Sequence, residues 1–557
     1  MDFLKYQEIF RKVMDGDMTD YRKQYDVWQL LSDMRDNLSF NDTEIRQYAM
    51  KISKYTHEMA AFQAGQTGDE KFEELYWKFL LLEAQSRQVD SYFLYLEKNR
   101  EQDKRFYEAR QEQFERFGIV SAMQALIDDD IDLLTISMPP GSGKSTAGIF
   151  LLSGCMGWWP DMPNLASAHS GILTRSFFDG VSQILTDNYE YTWHEIFPHV
   201  PFDPKSGTNS KEQTINVGSP KRFKSLTCRA INASLTGATR CEKILYADDL
   251  CSGIEEALSK ERLDKLWQTY NTDLKTRKKN ECKEIHISTR WSVNDTVGLL
   301  QREHRNDPRA RFISVPALDE NGESNFQYKY GVGFSTEYFK DMQRSMDDVS
   351  FRCLYMNEPI EREGLLYHED ELRRYINLPL EKPDAILSIA DTKNKGTDYF
   401  FQPVFYKYGD DYYLVDTICS NESDYEVQYE RSVETIIANK TEACRIESNN
   451  GGSRVAFEIN KRLQERQYYC HITENYTVKN KETKIIVYAP WVKQHVIFKD
   501  SSLYGTKDDY AVMIGLLVSY TVAGKVAHDD VPDGLAMFAE WQARPERKQA
   551  VIVDSIF

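Results

Sequence analysis

The chain has 557 residues, 41% of them hydrophobic and 13% aromatic, which is enough apolar material for roughly two to four domains, each with its own core. A formal net charge of −18 excludes a protein coated in basic surface, so any nucleic-acid contact has to be made by local patches or channels. Nine scattered cysteines with no C-x-x-C pair and no zinc-like spacing read as free thiols in a reducing compartment. With no secretory leader and no apolar run near the ~20 residues of a membrane span, the sequence reads as soluble and intracellular.

Residues 1–115 read as helical throughout: the segment has no proline, and Phe72, Leu75, Tyr76, Phe79 and Leu80 recur at helical spacing. The Gly65–Gly68 patch is the expected break between two helical parts. This accessory region is expected to pack on the rest of the protein or to meet a protein partner.

From 116 to 365 strands alternate with helices, the pattern of a parallel α/β sheet. The stretch Ile131–Thr146, I-D-L-L-T-I-S-M-P-P-G-S-G-K-S-T, places an apolar strand (Leu133–Ile136) before a Gly/Pro loop and a helix expected over Ala147–Met156. That is the context of a P-loop. The turn made by Pro140, Gly141, Ser142, Gly143 and Thr146 would cradle the phosphates of ATP, its backbone N–H groups facing them. Lys144 would reach the β/γ oxygens, and Ser145 would offer its hydroxyl to Mg²⁺. The motif's first glycine is replaced by Met138, followed by two prolines. Asn164–Ala168 reads as a strand leading into a helix over His169–Asp187.

Lys243-Ile-Leu-Tyr-Ala-Asp-Asp249 is an apolar strand ending in two carboxylates, expected to run beside the P-loop strand. Asp248 is assigned to the Mg²⁺ and Asp249 to the attacking water. A third strand, Glu284–Ser288, ends in Thr289-Arg290-Trp291, where the Thr289 hydroxyl is placed to sense the γ-phosphate.

The second half carries different chemistry. Ala385–Asp391 is a strand ending in Asp, Thr397–Phe405 and Tyr412–Thr417 continue as strands around a Gly409 turn, and a helix is expected at 424–439. Cys444-Arg-Ile-Glu447 then precedes Asn449–Gly452, and His528-Asp-Asp-Val-Pro-Asp533 opens a helix over Gly534–Trp541. Three separated acidic positions of this kind can converge at one end of a mixed sheet. Such a set suits two Mg²⁺ or Mn²⁺ ions roughly 4 Å apart acting on a phosphodiester. Of the last acids Asp530 and Asp533 are favoured, because a three-residue spacing at a helix start puts both on one face, while Asp529 can cap the turn. The run Lys479–Lys484 gathers three cations which, with Lys493, either supply phosphate contacts or form a merely solvated face.

The series S-M-P-P-G-S-G-K-S, then S-L-T-G-A-T-R-C-E-K-I-L-Y-A-D-D-L, then I-S-T-R-W-S-V-N-D-T-V-G-L-L resembles the large terminase subunit of tailed bacteriophages over most of 116–557. Thr289-Arg-Trp followed by Asp295 and Gly298 looks like the family's coupling motif, and Tyr355–Pro359 with Glu363-Gly364 like its interdomain junction. The helical N-terminal region (1–115) lies outside the resemblance, which implies an α/β chain with a P-loop NTPase parallel-sheet domain (116–365) and an RNase H-like α/β nuclease domain (366–557). In the last, Asp391 would bridge two metals, Glu447 would bind one, and Asp530 or Asp533 would complete the set, with Asp398 as a supporting acid. A catalytic arginine is also implied, with Arg175 and Arg240 as candidates.

The resemblance further implies an ATPase and metal-dependent endodeoxyribonuclease that drives double-stranded DNA into a procapsid and cuts concatemers. Its implied partners are the portal protein, a small terminase subunit and further copies of itself in a five-membered ring, in the host cytoplasm and transiently on the procapsid, with no membrane. Two rival readings remain: a helicase or repair ATPase with an appended nuclease, and a nucleotide-gated DNA-binding protein whose nuclease-like fold is an inactive scaffold.

Overall fold

A computed structural model describes residues 2–543 except 234–238, 258, 347, 360–363, 392–398, 449–451, 477–480 and 523–527. The chain divides into two compact units, Met1–Met342 with Arg352–Pro359, and Gln343–Phe351 with Ile360–Phe557.

The first unit opens with seven helices: α1 (Phe3–Met14), α2 (Tyr21–Asn37), α3 (Thr43–Thr67), α4 (Glu70–Gln85), α5 (Val89–Leu96), α6 (Gln111–Arg116) and α7 (Ile119–Ile127). Aspartates cap the starts of the first four, Asp2, Asp20, Asp42 and Asp69 each accepting a backbone N–H. Gly68, at φ 66°, ends α3, whereas Gly65 stays inside it; the break expected in that patch falls at the residue that adopts the left-handed conformation. Aromatic side chains fasten these helices to the sheet domain. The Tyr92 hydroxyl lies 2.7 Å from Ser153 Oγ, Trp158 Nε1 donates to the Ala84 carbonyl at 2.8 Å, and Thr192 Oγ1 donates to the Tyr95 carbonyl at 2.6 Å.

The sheet of this unit comprises β1 (Leu133–Ser137), β2 (Asn164–Ala168), β3 (Thr208–Asn209), β4 (Thr214–Ile215), β5 (Leu226–Ala230), β6 (Ile244–Asp248), β7 (Lys283–Ser288) and β8 (Ala310–Ser314), in the order β3-β4-β5-β2-β6-β7-β1-β8. The pairings from β5 to β8 are all parallel, and β3 and β4 add an antiparallel edge. One sequence-based expectation is corrected: β6 does not run beside β1, because β7 lies between them. Crossover helices let sequential strands insert out of order, so the apolar pattern of β6 identifies a buried parallel strand without fixing its neighbours.

The second unit holds β9 (Gly364–Leu365), β10 (Arg374–Tyr375), β11 (Ala385–Ala390), β12 (Phe400–Tyr408), β13 (Asp411–Ser420), β14 (Ala443–Glu447), β15 (His471–Asn475), β16 (Val496–Lys499) and β17 (Thr521–Val522). Seven strands form one sheet in the order β10-β16-β13-β12-β11-β14-β15. β11, β12 and β13 are antiparallel neighbours, while β14 runs parallel to β11 and β15 parallel to β14. Two cores flank this sheet. One gathers Ile389, Phe401, Phe405, Leu414, Leu535 and Phe538 under the terminal helix, with Phe405 and Phe538 stacked at 3.8 Å; the other packs Val433, Ile436, Ile446 and Ile459 under the helices Tyr425–Ala438 and Gly452–Glu465. The terminal helix is Asp530–Gln542 and starts four residues earlier than its apolar run suggests, since Pro532 is tolerated in a first turn.

Candidate functional site

In the first unit the five residues of β1 are all buried and lead straight into the glycine loop, and α8 (Lys144–Trp158) begins at the lysine itself rather than at Ala147. Gly143 sets that start. It precedes the helix at φ 101°, and a Cβ there would come within 2.8 Å of Phe106 and 2.9 Å of Arg110 Nε. Gly141, at φ 77°, is backed by Phe334, whose Cζ would lie 2.8 Å from an added Cβ. The two inner glycines are therefore demanded by backbone and space together. Met138, standing where the motif has glycine, is buried, and its carbonyl accepts from the buried Lys144 Nζ at 2.9 Å. The Tyr328 hydroxyl donates to the Ser142 carbonyl at 2.8 Å. Pro140 sits exposed at the mouth of the loop, and Ser145 and Thr146 occupy the first turn of α8.

Asp248 ends β6 and is buried, with Tyr246 Oη donating to its Oδ2 at 2.7 Å. Burial and the adjacent Asp249 push its pKa up to about 7, against the pull of the Ser145 and Tyr246 hydroxyls and of Lys144. Lysine, serine and aspartate are thus electrostatic neighbours, although a strand separates β6 from β1. Asp249 follows at φ 42°; its Oδ1 accepts from the Thr289 backbone N–H at 2.8 Å and from Thr289 Oγ1 at 3.0 Å. The two residues assigned to water and γ-phosphate are bonded to each other. Beyond them, Asp295 caps the helix Thr296–Glu303 and takes the buried Arg290 Nε on both oxygens, at 3.2 and 3.1 Å. A Cβ at Gly298 would strike the Val293 carbonyl at 2.2 Å, so the Asp295–Gly298 spacing serves a tight turn that holds Arg290.

The two arginine candidates are held by partners of their own. Arg175 is half-exposed, pairs with Asp179 at 3.0 Å and donates to Ser210; Arg240 pairs with Glu242 at 2.5 Å. Sequence reading missed Tyr246, Tyr328, Phe106 and Arg110. Of these only Tyr246, two residues before Asp248 and so on the same face of its strand, carried a usable signal.

In the second unit Asp391 follows β11 and Glu447 ends β14. Their strands are parallel neighbours with Ala390 opposite Ile446, so both acids emerge at the same end of the sheet. Asp533 lies buried in the first turn of Asp530–Gln542. Asp391 is buried too, and among the described residues nothing donates a hydrogen bond to its Oδ2. Burial, then Asp533 and Glu447, push the Asp391 pKa well above the usual carboxylate range, with Lys481 opposing; Asp533 is raised by burial and by Glu447, with Lys484 and Lys481 opposing. Crowded buried acids with an unsatisfied oxygen are the donor set a divalent cation needs, so the residues fit Mg²⁺ or Mn²⁺. Among the described residues, though, no three His, Cys, Asp or Glu side chains stand in a finished metal cage.

Two lysines stand among the acids instead. Lys484 Nζ is 2.5 Å from Asp533 Oδ1, and Lys481 Nζ is 2.9 Å from Asp529 Oδ1 and 3.4 Å from Asp533 Oδ2. Asp529 therefore pairs with Lys481 and makes no side-chain cap. Asp530, placed with Asp533 on one helix face, has an oxygen turned to the residue just before β12, where Oδ2 accepts the Tyr399 N–H at 3.1 Å. Lys493 is paired with Glu371 at 2.6 Å. Asp398, Asn449–Gly451, Lys479 and Glu363 lie outside the described residues.

The strand order β13-β12-β11-β14-β15, three antiparallel strands followed by two parallel ones with acids at the ends of β11 and β14, defines the second unit as a ribonuclease H-like domain. Residues 390–497 match the family model of the ribonuclease H-like domain of the bacteriophage T7 terminase. That segment, which runs from the end of β11 to β16, is thus similar to the ribonuclease H-like domain of a terminase. No curated protein matches. Among solved structures the chain is similar to the large terminase of a thermophilic bacteriophage in complex with ADP, at 10% identity and TM-score 0.36, covering 75% of this chain and 98% of that one. It is also similar to the HK97 bacteriophage large terminase, at 12% identity and TM-score 0.32, covering 74% and 93%. A third match is the Mn-soaked, inhibitor-bound human cytomegalovirus terminase nuclease domain, at 12% identity and TM-score 0.27, covering 32% and 95%.

Proposed function

We propose that this chain is the ATP-driven motor that packages double-stranded viral DNA into a procapsid and cleaves concatemeric DNA with a metal-dependent nuclease. The observation that carries the reading is one polypeptide with two acid-bearing sheets of different kinds. One sets a Lys144–Ser145–Asp248 group behind a glycine loop; the other sets Asp391 and Glu447 side by side with Asp533 close enough to perturb Asp391.

At the first site the loop N–H groups and Lys144 would hold the triphosphate, and Ser145 with ionised Asp248 would hold its Mg²⁺. Asp249 orients the attacking water. Its bond to Thr289 connects loss of the γ-phosphate to the Arg290–Asp295 turn and so to movement of DNA. At the second site Asp391, Glu447 and Asp533 would hold Mg²⁺ or Mn²⁺, with Asp530 adjoining. When bound, such ions supply an activated water and stabilise the departing 3′ oxygen of the phosphodiester. By the same reading the chain acts as a ring on the portal protein, with a small terminase subunit choosing the DNA, in the host cytoplasm. No described helix is long and apolar enough to cross a membrane.

Supercoiled plasmid incubated with the full chain and Mn²⁺ tests the nuclease reading. Nicking and linearisation are expected, and Asp391→Ala should abolish both. Cutting that survives in Asp391→Ala would place the nuclease centre elsewhere. ATP-dependent separation of a forked duplex would instead favour the helicase reading.

A further inference from the structure

The two cations inside the acid cluster project from one helix start. Lys481 and Lys484 are three residues apart at the beginning of the helix Lys481–His495, which puts both ammonium groups on one face. Their situations differ. The Lys484 side chain is 2% exposed and pairs with Asp533 Oδ1, itself on a buried side chain. The Lys481 side chain is 41% exposed and spreads one charge over two acids, at 2.9 Å from Asp529 and at a looser 3.4 Å from Asp533 Oδ2.

Asp391, Glu447 and Asp533 would be left mutually repelling at the end of the sheet without a neighbouring positive charge. Bringing a divalent ion to Asp533 Oδ2 sets a like charge against the ammonium already there. The lysine that can give way is the one with a solvent-facing stem and a second acid, Asp529, to retreat to. Lys484 has no such route without opening a buried void.

We infer that Lys481 is a resident counter-ion of the acid cluster, in direct competition with divalent metal for Asp533, and that metal entry transfers its ammonium wholly to Asp529. This rests on the assignment of Asp391, Glu447 and Asp533 as the metal-holding acids. Lys481 is a positioning residue: it holds the metal-free site together and sets the metal concentration at which the site fills.

Mn²⁺ binding to the full chain, without nucleotide or DNA, is measured by titration calorimetry, and the component lost in Asp391→Ala is taken as binding at this site. Lys481→Met, which removes the competing charge, should tighten that component at least tenfold. Lys481→Arg, which keeps it, should stay within threefold of the unsubstituted chain. Unchanged or weaker Mn²⁺ binding in Lys481→Met, with the Asp391-dependent component present in the unsubstituted chain, overturns the competition. Absence of any Asp391-dependent component in the unsubstituted chain overturns the metal assignment itself, and the two failures are told apart by that control. A single cooperative urea transition in each of the four chains establishes that the variants are folded.

Discussion

Replacing Asp248 by Asn isolates the electrostatic cost of burying this carboxylate. Asp248 is fully enclosed beside Asp249, and its pKa stands at about 7 in the folded chain against an ordinary value of 3.8. A folded-state pKa above the unfolded value means that the native state holds the proton longer. The associated stability is fully present below pH ~3.8 and is lost as pH rises through about 7. A displacement of about three units, at 1.36 kcal/mol per unit, corresponds to an upper bound of about 4 kcal/mol. Asn carries no charge and keeps an oxygen for the Tyr246 hydroxyl. In EDTA, Asp248→Asn should therefore match the unsubstituted chain near pH 4. Its advantage should grow through pH 5–7 and level off at up to about 4 kcal/mol by pH 8. Urea unfolding of both chains across this range, followed by tryptophan fluorescence, gives the difference directly. An Asn variant less stable than the unsubstituted chain at pH 8 would refute the claim that burial penalises this carboxylate.

Other substitutions probe separate links. Lys144→Ala should abolish ATP turnover in a phosphate-release assay while leaving Mn²⁺-dependent plasmid cutting intact; turnover at the unsubstituted rate would remove the P-loop assignment. Gly143→Ala forces a Cβ into the left-handed region and against Phe106 and Arg110, for a cost of about 2–4 kcal/mol from backbone and overpacking together, read as a lowered urea midpoint with loss of ATP binding. Asp295→Ala leaves Arg290 buried without its bidentate partner and uncaps Thr296–Glu303, which should destabilise the first unit by about 3–5 kcal/mol, measured by urea unfolding.

Much of the architecture was legible because its signals are local. Strand patterns bounded by turn residues located β1, β2, β6, β7, β11 and β14 to within a residue or so, and the carboxylates that close β6, β11 and β14 follow from sequence alone. The features that could not be read depend on contacts between segments distant in the chain. Nothing in Lys243–Asp249 tells that β7 inserts between it and the P-loop strand. The three-residue spacing of Asp530 and Asp533 does place them near one another on the helix, but helical periodicity is blind to the Tyr399 N–H that takes up one oxygen of Asp530. The lysine run before residue 485 looked like a phosphate-contact patch; its first described members instead point into the acid cluster, a placement set by how the helix Lys481–His495 docks on Asp530–Gln542. For Arg175, a position on the helix after β2 carries no information about which way a long side chain turns, and here it pairs with Asp179 and Ser210.

The most direct test of the account is the anomalous signal of Mn²⁺ in crystals of the full chain. Density within coordination distance of Asp391, Glu447 and Asp533, with Lys481 moved onto Asp529, is the predicted result. Manganese bound away from Asp391, or Asp391 and Glu447 each without an ion while other acids hold one, would contradict it.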